Sequence, residues 1–197
     1  MAADQVTRRN VLKSLTMGAV AGSVLRAIPV EAAEYAQRVI ETERARTSGY
    51  ATKFFPPHQS KTLRMLCETI IPADADSGGA IEAGAPEFID LLTSENPDYQ
   101  LKLGGGLMWL DSTCEDRYGK LFLDCTVQQQ KEILDLIAYR KNAATDESLS
   151  QGVEFFAFLR SFTADGFFTS KIGIAYLGYV GNTFLLEFPG CPPVPGV

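Results

Sequence analysis

The chain has 197 residues, 46% of them hydrophobic and 21% charged, with a formal net charge of −6 and a sequence pI near 4.9. That is enough chain and enough apolar content for one domain with its own core, and too much apolar content for a disordered protein. The acidic balance argues against nucleic-acid binding, which needs a basic stripe to meet phosphates, and against electrostatic docking on anionic lipid.

Residues 1–33 read as a twin-arginine signal segment. Arg8 and Arg9 stand in Thr7-Arg8-Arg9-Asn10-Val11-Leu12-Lys13, and a mildly apolar run from Ser14 to Leu25 follows. Arg26, Pro29 and the small residues Ala32 and Ala33 come next. This is the basic, apolar, small-residue order of an export signal, with a paired-arginine start. The bland alternative is a basic amphipathic N-terminus. The apolar run is about half of the roughly 20 residues that a membrane-spanning helix needs, so no span is expected. Val30-Glu31-Ala32 is a poor small-x-small site, which puts the expected cleavage near Ala32 or Ala33. Residues 34–197 then form a single domain. Without Arg8, Arg9, Lys13, Arg26, Asp4 and Glu31 the domain keeps 18 − 4 = 14 basic and 24 − 2 = 22 acidic residues, a net of −8. The route implies a periplasmic, oxidising destination reached in the folded state through the twin-arginine (Tat) translocase. There the four cysteines, Cys67, Cys114, Cys125 and Cys191, can pair in three ways.

From residue 57 onward the apolar spacing is helical. Leu63, Leu66, Cys67, Ile70 and Ile71 share one face of a predicted helix that Pro57 opens and Pro72 ends. A loop rich in Asp, Gly and Ala is expected from Ala73 to Gly84. Pro86 opens a short helix bearing Phe88, Leu91 and Leu92, and Pro97 opens the next, with a stripe of Tyr99, Leu103, Leu107, Leu110, Cys114 and Tyr118. Inside it, Gly104-Gly105-Gly106 either breaks the helix or lets another chain segment approach closely; close approach is the favoured expectation. Thr126-x-x-Gln129 is a capping box at the start of a helix that buries Ile133, Leu134, Ile137 and Ala138. Residues 142–150 are polar and read as a loop. The last predicted helix runs from about Gly152 to Ala164 with Phe155, Phe158, Leu159 and Phe162. Beyond Gly166 the chain is aromatic, glycine-rich and irregular, ending in Cys191-Pro192-Pro193-Val194-Pro195. No strand alternation is visible. The expected fold is all-α, a small irregular helical bundle with a long irregular C-terminal segment.

Little in the chain carries chemistry. His58 is its one histidine, so a His-rich metal site and bis-histidine haem ligation are excluded, and a surface or capping role is expected. Gly104–Gly106 follows no strand and lacks the Gly-x-Gly-x-x-Gly spacing of a dinucleotide site. Asp74-Ala75-Asp76-Ser77-Gly78-Gly79 opens like a calcium loop, but its twelfth position falls on Ala85, so a plain turn-rich loop is the better expectation. Asp111, Glu115 and Asp116 look like a solvated helix face. No catalytic, cofactor-binding or metal residue is therefore assigned, and function is expected to lie on the surface. Two features are singled out. Cys114 and Cys125 flank a short connection between helices and form the candidate disulfide. The aromatic segment between Gly166 and Phe188, represented by Phe167, Phe168, Tyr176, Tyr179, Asn182 and Phe184, is the candidate partner interface, because its glycines disfavour a regular helix that would bury the rings.

Several stretches, in order, resemble the gluconate 2-dehydrogenase subunit 3 family. They are Ile70-Ile71-Pro72-Ala73-Asp74 with Gly79-Ala80 and Gly84-Ala85-Pro86-Glu87-Phe88-Ile89-Asp90; the Leu-rich helix ending near Asp111 with Gln128-Gln129-Gln130 beyond it; Phe155-Phe156-Ala157-Phe158-Leu159-Arg160 with Gly166-Phe167-Phe168-Thr169-Ser170; and Leu177-Gly178-Tyr179-Val180-Gly181-Asn182 with Phe188-Pro189-Gly190-Cys191. Together they cover about residues 54–191. The resemblance implies a non-catalytic small subunit without a cofactor of its own. It further implies a partner flavoprotein of the glucose–methanol–choline (GMC) family that carries FAD and oxidises a sugar, sugar acid or polyol. A multihaem cytochrome c, with haem c, commonly takes the electrons onward. The small subunit is then a maturation and export partner that supplies the twin-arginine signal, and the complex is membrane-associated. The Gly-Tyr-Val-Gly-Asn ending is similar to small subunits of glucoside 3-dehydrogenases. The competing expectation is a stand-alone periplasmic binding or scaffold protein with the same helical fold.

Overall fold

In the computed structural model residues 28–47, 49–179 and 181 are described. The described chain is all-α, as expected. Helix α1 spans Val30–Thr47, α2 Pro57–Ile70, α3 Ala80–Ala83, α4 Ala85–Glu95 and α5 Pro97–Tyr99. A π-helical turn, Gln100–Gly104, joins α5 to α6, Gly105–Tyr118. Then come a 3-10 turn at Phe122–Asp124, α7 Val127–Ile137, α8 Arg140–Thr145, a second 3-10 turn at Glu147–Leu149, α9 Ser150–Phe168 and α10 Lys171–Tyr176.

The centre of the bundle is the pair α4 and α9. Helix α4 is apolar nearly all round, with Phe88, Ile89, Leu91 and Leu92 buried, which is the pattern of a helix enclosed by others. Against it α9 buries Phe155, Phe156, Phe158, Leu159, Phe162 and Phe167. Gly166 lets the two backbones meet: a Cβ there would stand 3.1 Å from the Ala85 Cα. Two polar side chains of α4 are buried, and both are bonded: the Thr93 hydroxyl donates to the Ile89 carbonyl at 2.6 Å, and Asp90 ties in a neighbouring segment. The Asp90 carboxylate accepts the Tyr50 hydroxyl at 3.0 Å and the backbone amides of Lys53, Phe54 and Phe55 at 2.6, 3.1 and 3.0 Å. It thereby ties residues 50–55, which have no helical bonds of their own, onto the bundle. Burial, then the Asp90 charge, raises the Tyr50 phenol far above its ordinary range.

The glycine triplet does not break its helix, and close approach proves correct at one of the three positions. The chain turns continuously from Asn96, which caps α5 through its side chain, to Gly119. A Cβ on Gly106 would lie 2.0 Å from the Phe155 ring, and one on Gly152 would lie 2.3 Å from the Trp109 ring. Two glycines, one on α6 and one on α9, each receive an aromatic ring of the other helix. The Thr126–Gln129 capping box forms as expected, with amide-to-side-chain bonds of 3.3 and 2.9 Å.

Three expectations about boundaries need correction. The Ala73–Gly84 loop contains a helical turn, α3, closed by Gly84 at φ 82°. Residues 142–150 are largely helical in α8 and a 3-10 turn. The chain after Gly166 is not irregular at first: α9 continues to Phe168 and α10 follows. Helix α1 runs across residue 33, and its Ala32, Ala33, Ala36 and Ile40 are core residues. Small side chains at 32 and 33 read as a peptidase site in the sequence; in the fold they serve the packing of α1 on α4.

Candidate partner-docking face

The corner between α9 and α10 is built by a tight turn. The Ser170 hydroxyl donates to the Phe167 carbonyl at 2.7 Å and accepts the Gly173 amide at 3.1 Å, so it ends one helix and caps the next. Only glycine fits at 173, where a Cβ would stand 2.1 Å from the Phe167 carbonyl oxygen. Helix α1 braces the corner from outside. Gln37 donates to the Gly166 carbonyl and the Thr169 hydroxyl at 3.0 and 3.2 Å, and Lys171 pairs with Glu41 at 3.0 Å.

This turn sorts the aromatic side chains. Phe167 points inward at 3% exposure, so its assignment to a partner interface is corrected: it is core, packed edge-on against Phe168. Phe168, Tyr176 and Tyr179 remain 41, 54 and 56% exposed, and Ile174 and Leu177 are exposed beside them. Asn182 and Phe184, also expected at the interface, lie outside the described residues, as do Arg8 and Arg9. Phe168, Ile174, Leu177 and Tyr179 form one wall of a groove of about 530 Å³ whose other wall is Ile28 and the start of α1 at Val30 and Ala33; Tyr176 is not in its lining. Its volume falls in the range of ligand-sized clefts, and its lining holds two acids, Glu34 and Asp165, and no base. The α1 wall left no signal in the apolar spacing from residue 57 onward, because Ile28, Val30 and Ala33 come from the segment read as leader.

Other titratable groups are occupied structurally. His58 Nε2 lies 2.8 Å from Asp111 Oδ2, and Asp111 Oδ1 accepts the Phe122 amide. Asp111 therefore anchors α2 and the 3-10 turn to α6 instead of facing solvent; Glu115 and Asp116 are exposed as expected. Asp74 accepts the amides of Asp76 and Ser77, closing its own turn. Cys67, Cys114 and Cys125 are free, buried thiols. The expected Cys114–Cys125 bond is thus absent, although the two side chains are hydrogen-bonded neighbours. Burial in the apolar core, and then the adjacent Cys125, push the Cys114 thiol up to about 12, which favours the protonated, unreactive form. Among the described residues no group of three His, Cys, Asp or Glu could hold a metal ion, and no described helix is long and apolar enough to cross a membrane.

One family model, described as gluconate 2-dehydrogenase subunit 3, matches residues 57–190, well over half of the chain. The chain belongs to the gluconate 2-dehydrogenase subunit 3 family. It is thereby a subunit of a multisubunit dehydrogenase complex, as the sequence motifs implied. The match takes in α2 to α10, hence the groove wall formed by Phe168, Ile174 and Leu177; the α1 wall lies before it. No curated protein and no solved structure matches the chain.

Proposed function

We propose that this subunit 3 chain is the non-catalytic partner of a periplasmic FAD-dependent sugar, sugar-acid or polyol dehydrogenase of the GMC family, and that it assists maturation of that flavoprotein and its export by the twin-arginine route. The observation that carries the reading is the exposed aromatic face at the α9–α10 corner. Phe168, Tyr176, Leu177 and Tyr179 together form an apolar surface on a chain that belongs to a complex-forming family. Contiguous exposed apolar surface, rich in tyrosine, is what a docking partner covers. The leader Thr7–Lys13 supplies the export signal for both chains, and a cytochrome c with haem c passes the electrons on. The role is one of binding, with the apolar face as the outward feature of the described residues.

The experiment is export of the pair. Arg8→Lys with Arg9→Lys is introduced into the chain co-expressed with the flavoprotein encoded beside it. Both proteins are expected to stay in the cytoplasm. Unchanged periplasmic levels of both would overturn the export role.

A further inference from the structure

Ala32 and Ala33 carry the small side chains that a leader peptidase prefers, and they sit where the chain is least open to one. Both are buried, at 0 and 3% exposure, and Ala36 and Ile40 continue the same buried line along α1. Their amides donate to the Pro29 carbonyl at 3.0 and 3.1 Å, which closes the first turn of the helix. Helix ends ordinarily fray at little cost. This one is also tied from outside: the Ile28 amide donates to the Asp165 carboxylate of α9, and Ile28 itself is a core side chain. Further along, Gln37 holds α1 to the Gly166 carbonyl and Arg44 pairs with Glu87 of α4 at 3.3 Å.

A peptidase takes its substrate as an extended, exposed strand, so cutting follows the burial and hydrogen bonding of the backbone concerned. To present the Ala32–Ala33 bond in that form, α1 has to unwind over its first turn and beyond. Ile28, Ala32 and Ala33 then leave the core, and the Asp165 carboxylate loses its amide. A chain exported by the twin-arginine route meets the peptidase already folded, so this cost falls on every cleavage event. Cutting there also removes Ile28 and Val30 from the groove at the α9–α10 corner, hence from the wall opposite Phe168, Ile174 and Leu177.

We infer that the fold of α1 protects the Ala32–Ala33 bond from the leader peptidase, and that the exported subunit keeps Ile28 and the whole of α1 as part of its folded body and of its docking face. The inference rests on reading the N-terminal segment as an export signal. It sets the end of processing upstream of Ile28. What the sequence presents as the tail of a leader is then the first turn of the mature domain.

The test has two arms. The intact mass of the chain purified from the periplasm reads its mature N-terminus. A mass that includes Ile28 is expected, and a chain beginning at Ala33 or Glu34 would overturn the inference. The second arm needs no export. Full chain from cells without the translocase is incubated with purified signal peptidase in detergent, beside a synthetic peptide of residues 22–40 that carries the same bond without the bundle. Cutting between Ala32 and Ala33 is followed by mass spectrometry. The peptide is expected to be cut at least about a hundredfold faster, because in the chain the bond is reached only through local unfolding. Ala36→Asp puts a charge on the buried face of α1 and is expected to bring the rate of the chain toward that of the peptide. Gln37→Ala removes only the bonds to Gly166 and Thr169, so it is the safer variant for folding, and a rise of several-fold is expected. Equal rates in the wild-type chain and the peptide would overturn the inference. So would a peptide left uncut, since the sequence alone would then spare the bond. A failure of export leaves the second arm intact, and a chain cut at Ala33 after successful export defeats the inference while the export reading stands.

Discussion

Gly105→Ala and Gly106→Ala change adjacent residues of α6 in the same way and are expected to have opposite effects. Both gain the helix preference of alanine over glycine, about 1 kcal/mol. At 105 the new methyl group meets nothing closer than the Gln151 side-chain nitrogen at 3.7 Å, an ordinary contact, so the variant is expected to be more stable by up to about 1 kcal/mol. At 106 it would stand 2.0 Å from Phe155 Cδ2, 2.2 Å from Cγ and 2.6 Å from Cβ. Because Cβ itself is in the way, turning the ring does not clear the clash. Either α6 and α9 separate, or Phe155 leaves the core, where burial of such a ring contributes about 1.5–3 kcal/mol. Overpacking of this kind costs about 1–3 kcal/mol, so after the helix gain Gly106→Ala is expected to lose about 1–2 kcal/mol, or several degrees in Tm. Urea unfolding followed by tryptophan fluorescence is the assay, since Trp109 is the one tryptophan and its ring sits over Gly152 in the same helix pair. Equal stabilisation by both substitutions would refute the packing of Phe155 into the Gly106 notch.

Asp90→Ala leaves three backbone amides and the Tyr50 hydroxyl without their shared acceptor at a 2% exposed site, and a loss of about 3–5 kcal/mol is expected in denaturant titration. Tyr176→Ala with Tyr179→Ala removes side chains that are more than half exposed, so the isolated subunit should lose less than about 1 kcal/mol while binding to the flavoprotein weakens at least tenfold. If the double variant unfolds instead, the segment belongs to the core. Burial pushes the Cys67 thiol up to about 12, as it does Cys114. The folded state therefore keeps protons that the unfolded state releases, and stability should fall as pH rises from about 9 toward 12. At pH 8 both thiols should react slowly with a thiol reagent until denaturant is added; immediate native reaction would contradict their burial.

The helices that bury one apolar face were legible because their period matched the 3.6-residue turn: α2, α4, α7 and most of α9 lie where the spacing put them. Helix α1 was missed because its buried residues are mostly alanines, which show little contrast with a leader's small-residue end, and they matter through close packing on α4. The α9–α10 corner was read as irregular because glycine disfavours a helix on average. Here Gly166 and Gly173 are the residues that let α9 pack on α4 and let α10 fold back. The exposed tyrosines of the candidate face were recognisable by composition. Which of its aromatics turns inward was not, because the split between Phe167 and Phe168 depends on where α9 stops. The His58–Asp111 contact joins residues 53 positions apart, a pairing that local spacing does not encode.

The most direct test of the central claim is association. The tagged wild-type chain is co-expressed with its neighbouring GMC-type flavoprotein, purified, and examined by native mass spectrometry together with the flavin absorbance spectrum. A single complex containing both chains and one flavin signature, lost in the Tyr176→Ala, Tyr179→Ala variant, is the predicted result. A chain that purifies alone, while the flavoprotein is exported and active in its absence, would contradict the account.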